Sequence, residues 1–238
     1  MGVRYKTPPI IEAVCEFRFE PTNTWDITIP GLVYEAMRQR FPQRQTRKGI
    51  HLELISGNQS LTHTTEQVDM AQFLSVDKTR LAQVAPDLIS VNHLAPYESW
   101  KAFLPDIALG FQSYCKVAEP KKLQRIGLRY INRVPEIGWD QFAFRPFFET
   151  RPDLKTSSFI LGVEIPFEGE RDRLRMQLSS ALGDVKAVIL DLDYYLAVPG
   201  AIDIQQALNW VEQAHTHLES AFEDCLSDAL RQRFEPEE

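Results

Sequence analysis

The chain has 238 residues, 44% hydrophobic and 25% charged, ordinary values for a globular protein long enough to bury a sizeable core. Its 33 acidic residues outnumber 26 basic ones for a formal net charge of −7, which makes nucleic acid or an anionic membrane an unfavoured partner. Cys15, Cys115 and Cys225 lie too far apart for a metal knuckle or a secreted disulfide framework. No apolar run reaches the ~18 residues of a membrane span and no signal peptide is evident, so a soluble cytoplasmic protein with three inert thiols is expected.

In chain order, Pro8 and Pro9 exclude a helix, and Ile10–Glu20 then alternates as a strand. Ile11, Ala13, Cys15, Phe17 and Phe19 share one face. Glu12, Glu16, Arg18 and Glu20 share the other with Ile10 and Val14. Pro30 and Gly31 introduce a short helix over Leu32–Phe41, and polar, basic Gln43–Gly49 reads as an exposed loop. Strands are predicted at Leu52–Ser56, Leu61–Thr65, Met70–Val76, Leu81–Ala85 and Asp87–Leu94, with turns at Gly57-Asn58, Asp77-Lys78 and Pro86-Asp87. Tyr97–Ala118 carries a wide apolar helical stripe, interrupted by Pro105, where a kink or break is expected.

Lys122–Val134 follows, a predicted central strand with Arg125, Arg129 and Arg133 on one face and Tyr130 and Asn132 on the other. Pro135–Pro152 is irregular and aromatic, either a packed cover or a lid or partner surface. Ser158–Glu168 is expected to bury Phe159, Leu161, Val163, Ile165 and Phe167, and Arg171–Ser179 alternates. Val185–Val198 is apolar enough for a central strand. A last helix, Asp203–Phe234 with Asp203 as N-cap, shows a four-three apolar seam that could pair with a second copy.

Three constellations could carry chemistry. Arginine forks match carboxylates or phosphates, so Arg125, Arg129 and Arg133 either pair with Glu12, Glu16, Glu20, Asp191 or Asp193, or hold an anionic small molecule. Asp191 and Asp193, with Tyr195, sit two apart on a strand, as partners for the arginines or as an acid/base pair. Of the five histidines, His93 is the one to test as a base; His215 completes the seam of the last helix, and His217 lies on a different face of it. No metal-ligand set, nucleophile motif or phosphate-binding glycine loop occurs, so no catalytic residue, metal or cofactor is assigned.

YKTPPIIEAVCEFRF at Tyr5–Phe19, WDITIPGLVYEAM after it, IGLRYINRV at Ile126–Val134 and HLESAFEDCLSDALRQRF at His217–Phe234 resemble, in order, a family of sporadically distributed bacterial proteins of about this length. The resemblance covers the whole chain and marks Pro8, Pro9, Glu12, Phe17, Arg129, Tyr130, Asn132 and Arg133. It implies no activity; a scattered distribution is shared by defence and toxin–antitoxin genes.

The expected fold is α+β: antiparallel sheet with long helices packed on one face, in one unit spanning 1–238. Two related β-β-α halves, roughly 1–120 and 121–238, fit the pattern. Two functions fit. One is a non-enzymatic binding module with a protein partner or a second copy, within a defence-type system. The other is an enzyme or sensor for a phosphorylated small molecule or nucleotide. The ligand candidates are Arg125, Arg129, Arg133, Glu12, Glu16, Asp191, Asp193, Tyr130 and Asn132.

Overall fold

Among the described residues, nine antiparallel strands form one sheet in the order β2-β3-β4-β5-β1-β6-β9-β8-β7. They are β1 (Ile10–Phe19), β2 (Gln43–Gly57), β3 (Ser60–Leu74), β4 (Arg80–Ala85), β5 (Leu88–Leu94), β6 (Leu123–Pro135), β7 (Ile160–Phe167), β8 (Asp172–Ala181) and β9 (Asp184–Leu196). Among the described residues four α-helices accompany them: α1 (Ile29–Met37), α2 (Trp100–Ala118), α3 (Ala207–Cys225) and α4 (Asp228–Arg233). The structure, a computed structural model, describes residues 3–21, 25–57, 60–145 and 158–237, with side chains for all of these except 47–69 and 185.

The two middle strands, β1 and β6, run side by side, with Val14 opposite Arg129 and Cys15 opposite Leu128. Alternation then decides everything about the faces. Ala13, Cys15 and Phe17 of β1 and Ile126, Leu128 and Tyr130 of β6 all point to one side and are buried. A register shift between Arg18 and Phe19 puts one extra residue into β6, so Leu123 and Ile126 both reach that core. Rings from two helices meet the same side: Phe17 lies 4.5 Å from Phe111 of α2, and Tyr194 of β9 lies 5.6 Å from Trp210 of α3. Each such large side chain contributes about 1.5–3 kcal/mol by leaving water.

Several sequence expectations change. Gln43–Gly49 is not a loop but the first half of β2, whose backbone pairs residue by residue with β3 from Gln43–Leu74 to Gly57–Ser60. The separate strands expected at Leu61–Thr65 and Met70–Val76 are one continuous β3. Helix α1 begins earlier than Leu32, with Pro30 in its first turn, where a missing amide costs nothing. Helix α2 passes through Pro105 without a break; Ser99 caps it by accepting from the Ala102 amide. The last helix is two. α3 ends at Cys225, and Ser227 starts α4 by accepting from the Leu230 amide. Asp203 makes no side-chain cap.

The four-three seam of α3 is spent inside the chain. Val211, Leu218 and Cys225 are fully buried in the core, so that seam does not offer itself to a second copy. In the aromatic stretch after β6, Phe142 is 1% exposed and bridges to Leu226, and Trp139 and Phe144 pack on the core. That is the arrangement of a packed cover; residues 146–152 of the same stretch lie outside the described residues. Cys15 and Cys225 are buried and Cys115 half-buried, all three unpaired. Burial pushes the Cys115 and Cys225 thiols up to about 12, so they are inert at neutral pH. Among the described residues, no helix is long and apolar enough to cross a membrane.

Candidate functional site

The face of the sheet opposite the helices is polar, and strand register brings its residues together. On β6, Arg125, Arg129 and Arg133 point this way while Tyr130 and Asn132 do not. Arg129 stands opposite Asp193 of β9, and Asp193 stands opposite Arg175 of β8. Arg175 stands opposite Glu164 of β7. The result is a lattice of alternating charge across four strands.

Arg125 bridges two carboxylates, Glu16 on β1 at 3.2 Å and Asp193 on β9 at 3.0 Å. Its guanidinium also lies 4.9 Å over the Tyr195 ring, a cation–π contact. Gly127 makes this possible: a Cβ there would stand 2.5 Å from Arg125 Nη1. Arg129 grips Asp191 with two parallel hydrogen bonds, Nε donating at 2.7 Å and Nη2 to the second oxygen. Arg133 pairs with Asp184. Arg18 donates to Glu16 at 2.6 Å, and Arg175 and Tyr195 both donate to Glu164, at 3.2 and 2.7 Å. Arg173 lies 3.7 Å from Glu170. Every arginine whose side chain is described on this face therefore has a carboxylate beside it.

The electrostatics follow. Burial raises the Asp193 carboxyl above its ordinary range, and Arg125 and Arg129 pull it back. The Tyr195 hydroxyl holds Glu164 below the usual carboxylate range. The Asp191 hydrogen bonds raise Arg129 further, so its charge is permanent.

Towards β2 the same face changes from charges to amides. Gln45 donates to Gln72 at 2.8 Å, Gln72 to Gln83 at 2.7 Å, and Gln83 to Ser90 at 3.1 Å and Asn92 at 3.3 Å. Asn92 then donates to Glu12 at 2.6 Å. This ladder crosses five strands and ends on a carboxylate. Gln72, Ser90 and Asn92 are 2, 3 and 5% exposed, so their polar groups are satisfied by one another.

The sequence candidates thus divide. Glu16, Arg125, Arg129, Asp191 and Asp193 come together in the lattice. Glu12 faces the same way but closes the amide ladder rather than meeting an arginine. Arg133 stands at the margin with Asp184, a partner the sequence does not suggest. Tyr130 and Asn132 point, as alternation expects, to the other side, into the helix-covered core, 6 and 1% exposed, and so stand apart from the arginines. Tyr130 shares a hydrogen bond with His215 Nδ1 at 3.0 Å, and Asn132 donates to the Leu190 carbonyl at 3.1 Å. Arg175 and Glu164 join the site; the alternation of β8 carries Arg175 and that of β7 carries Glu164.

His93 is also on the core side, fully buried. Arg80 donates to its Nε2 at 3.5 Å, and its Nδ1 has no partner among the described residues. Burial lowers its pKa. Around it, Arg40 clasps the buried Asp106 with bonds of 2.6 and 3.0 Å. His215 stacks on Trp100 at 4.0 Å and His217 on Tyr194 at 4.9 Å, so both serve packing. Among the described residues, no three His, Cys, Asp or Glu side chains gather as a metal ion would require. No protein-family model and no curated protein matches this chain.

Proposed function

We propose that this chain is a non-enzymatic interaction module that presents its polar sheet face to a protein partner. The observation that supports the reading most is the neutralisation of the arginines. Arg125 and Arg129 are held by Glu16, Asp193 and Asp191, so an anionic ligand would have to displace built-in carboxylates. A preorganised array of polar groups, nearly all paired (Arg173 Nη1 is buried without a hydrogen-bond partner among the described residues), suits specificity, because a wrong partner leaves those groups unpaired. The resemblance to the scattered bacterial family is the support for a role in a defence-type system.

Two related halves belong to the same reading. Each half opens with a middle strand, β1 or β6, whose neighbour is the last strand of its own meander, β5 or β9. Each then runs into a helix of 19 residues, α2 or α3. Such a pairing of units would account for one broad sheet with a shared polar face.

The test is a thermal-shift screen against nucleotides, cyclic oligonucleotides and phosphorylated metabolites, with Arg129→Ala alongside. The reading expects no ligand-dependent shift, and a lower melting temperature for the variant. A ligand at ~100 times its Kd adds about 2.7 kcal/mol. A shift of that size, lost in Arg129→Ala, would replace this reading with an anion-binding enzyme or sensor.

A further inference from the structure

Strand β7 ends the sheet, and among the described residues nothing pairs with its outer side. Its sequence, ILGVEIPF, holds no lysine or arginine and a single glutamate. The sequence of the opposite edge strand, β2, is by contrast basic at its start, QRQTRK. Ten large apolar side chains stand exposed among the described residues, and three of them are Ile160, Val163 and Ile165 of this one strand, 73, 39 and 39% exposed. Sequence alternation expects Val163 and Ile165 to be buried, and within one chain they are not.

The backbone pattern says what the free edge offers. Ser180 donates its amide to the Phe159 carbonyl, so Phe159 and every second residue after it turn their backbone groups towards β8. Ile160, Gly162, Glu164 and Pro166 then turn theirs outward. Pro166, which has no amide to donate, sits at the one kind of position where a strand tolerates it.

We infer that β7 pairs antiparallel with β7 of a second copy of this chain, about a two-fold axis at Val163. In that register Val163 faces its own counterpart and Leu161 faces Ile165 of the partner copy, joining apolar side chains of one face. Ile160 meets Pro166 on the other. The outward amides and carbonyls of Ile160, Gly162 and Glu164 form a continuous ladder, lacking only the amide of Pro166. Each Glu164 lies opposite Gly162 and keeps its own Arg175 and Tyr195. A register centred on Glu164 would instead set two carboxylates face to face, which is destabilising. The occupant is a second copy because the strand complements itself in shape, charge and hydrogen bonding.

The experiment uses the full chain. Sedimentation over a range of concentrations should give a monomer–dimer equilibrium, and Val163→Lys should give a monomer with unchanged far-ultraviolet dichroism and melting temperature at low concentration. Val163→Cys should form an interchain disulfide under mild oxidation, because Cα atoms of such a pair stand roughly 4.5 Å apart. Leu161→Cys should not, since its two copies would lie roughly 13 Å apart. A monomer at every concentration without cross-linking overturns the inference. So does a dimer that Val163→Lys leaves intact, or equal cross-linking at both positions.

Discussion

Replacing Arg125 by methionine keeps the length of the side chain and removes the charge that Glu16 and Asp193 share. In the intact chain the guanidinium is 29% exposed, Glu16 21% and Asp193 13%, so the group is only partly screened by water. Hydrogen bonds to charged groups are each worth about 1.5–3 kcal/mol when a partner is left unpaired. Allowing for partial exposure and for the methionine's own burial, Arg125→Met should cost about 2 kcal/mol at pH 7, or roughly 4–8 °C in Tm for a chain of this size. The cost should depend on pH. Burial already raises the Asp193 carboxyl, and Arg125 is the main charge lowering it. Without Arg125 the carboxyl takes up a proton more readily, and a neutral Asp193 no longer needs a counterion. Urea unfolding at pH 7 and pH 4.5 measures both terms. The loss should shrink below about 1 kcal/mol at the lower pH. A variant as stable as the parent at pH 7, or a loss equal at both values, would refute the claim that this guanidinium is committed to the two carboxylates.

Gly127→Ala places a methyl group 2.5 Å from Arg125 Nη1 and should displace the guanidinium, costing about 1–2 kcal/mol. The loss should vanish when the same change is made in Arg125→Met, as read by urea unfolding. Asp172 is 0% exposed and accepts from Trp210 Nε1 at 3.1 Å and the Tyr194 hydroxyl at 3.2 Å, with Arg171 beside it. Asp172→Ala leaves these groups unpaired and should cost about 3–5 kcal/mol in chemical denaturation. For His93, burial holds the imidazole below its ordinary 6.5, so the unfolded chain binds the extra proton first. That contribution is fully present above pH 6.5 and is lost as pH falls towards the folded value, with a slope of at most ~1.4 kcal/mol per pH unit. Unfolding free energies at pH 7.5, 6.5 and 5.5 should show the slope, and His93→Gln should flatten it.

Much of the sheet is legible in the sequence because one buried face imposes a two-residue period on β1, β6, β8 and β9. What period cannot give is pairing between distant strands. Asp191 and Asp193 can be named as partners for the arginines, but only the folded sheet shows that Arg129, opposite Asp193, reaches diagonally to Asp191 while Arg125 reaches Asp193. Asp184 and Asn92 stay invisible as partners of Arg133 and Glu12 for the same reason. Gln43–Gly49 misleads because polar residues on both faces look like a loop, whereas its pairing with β3 is made by the backbone. The break between α3 and α4 is hidden because Cys225 and Ala229 keep the helical spacing across it. The local signal is Ser227 before Asp228-Ala229-Leu230, an N-cap. Tyr130 and Asn132 lie beside the arginines in sequence, and alternation sends them to the opposite side of the sheet.

The central claim is that the arginine face is closed by its own carboxylates. A double-mutant cycle on Arg129 and Asp191, using Arg129→Met, Asp191→Asn and the combined variant in urea unfolding at pH 7, tests it most directly. Side chains 45 and 15% exposed in a two-bond clasp should couple by about 0.5–1 kcal/mol. A coupling indistinguishable from zero would contradict the account, because the two groups would then be independent and the arginine free to hold something else.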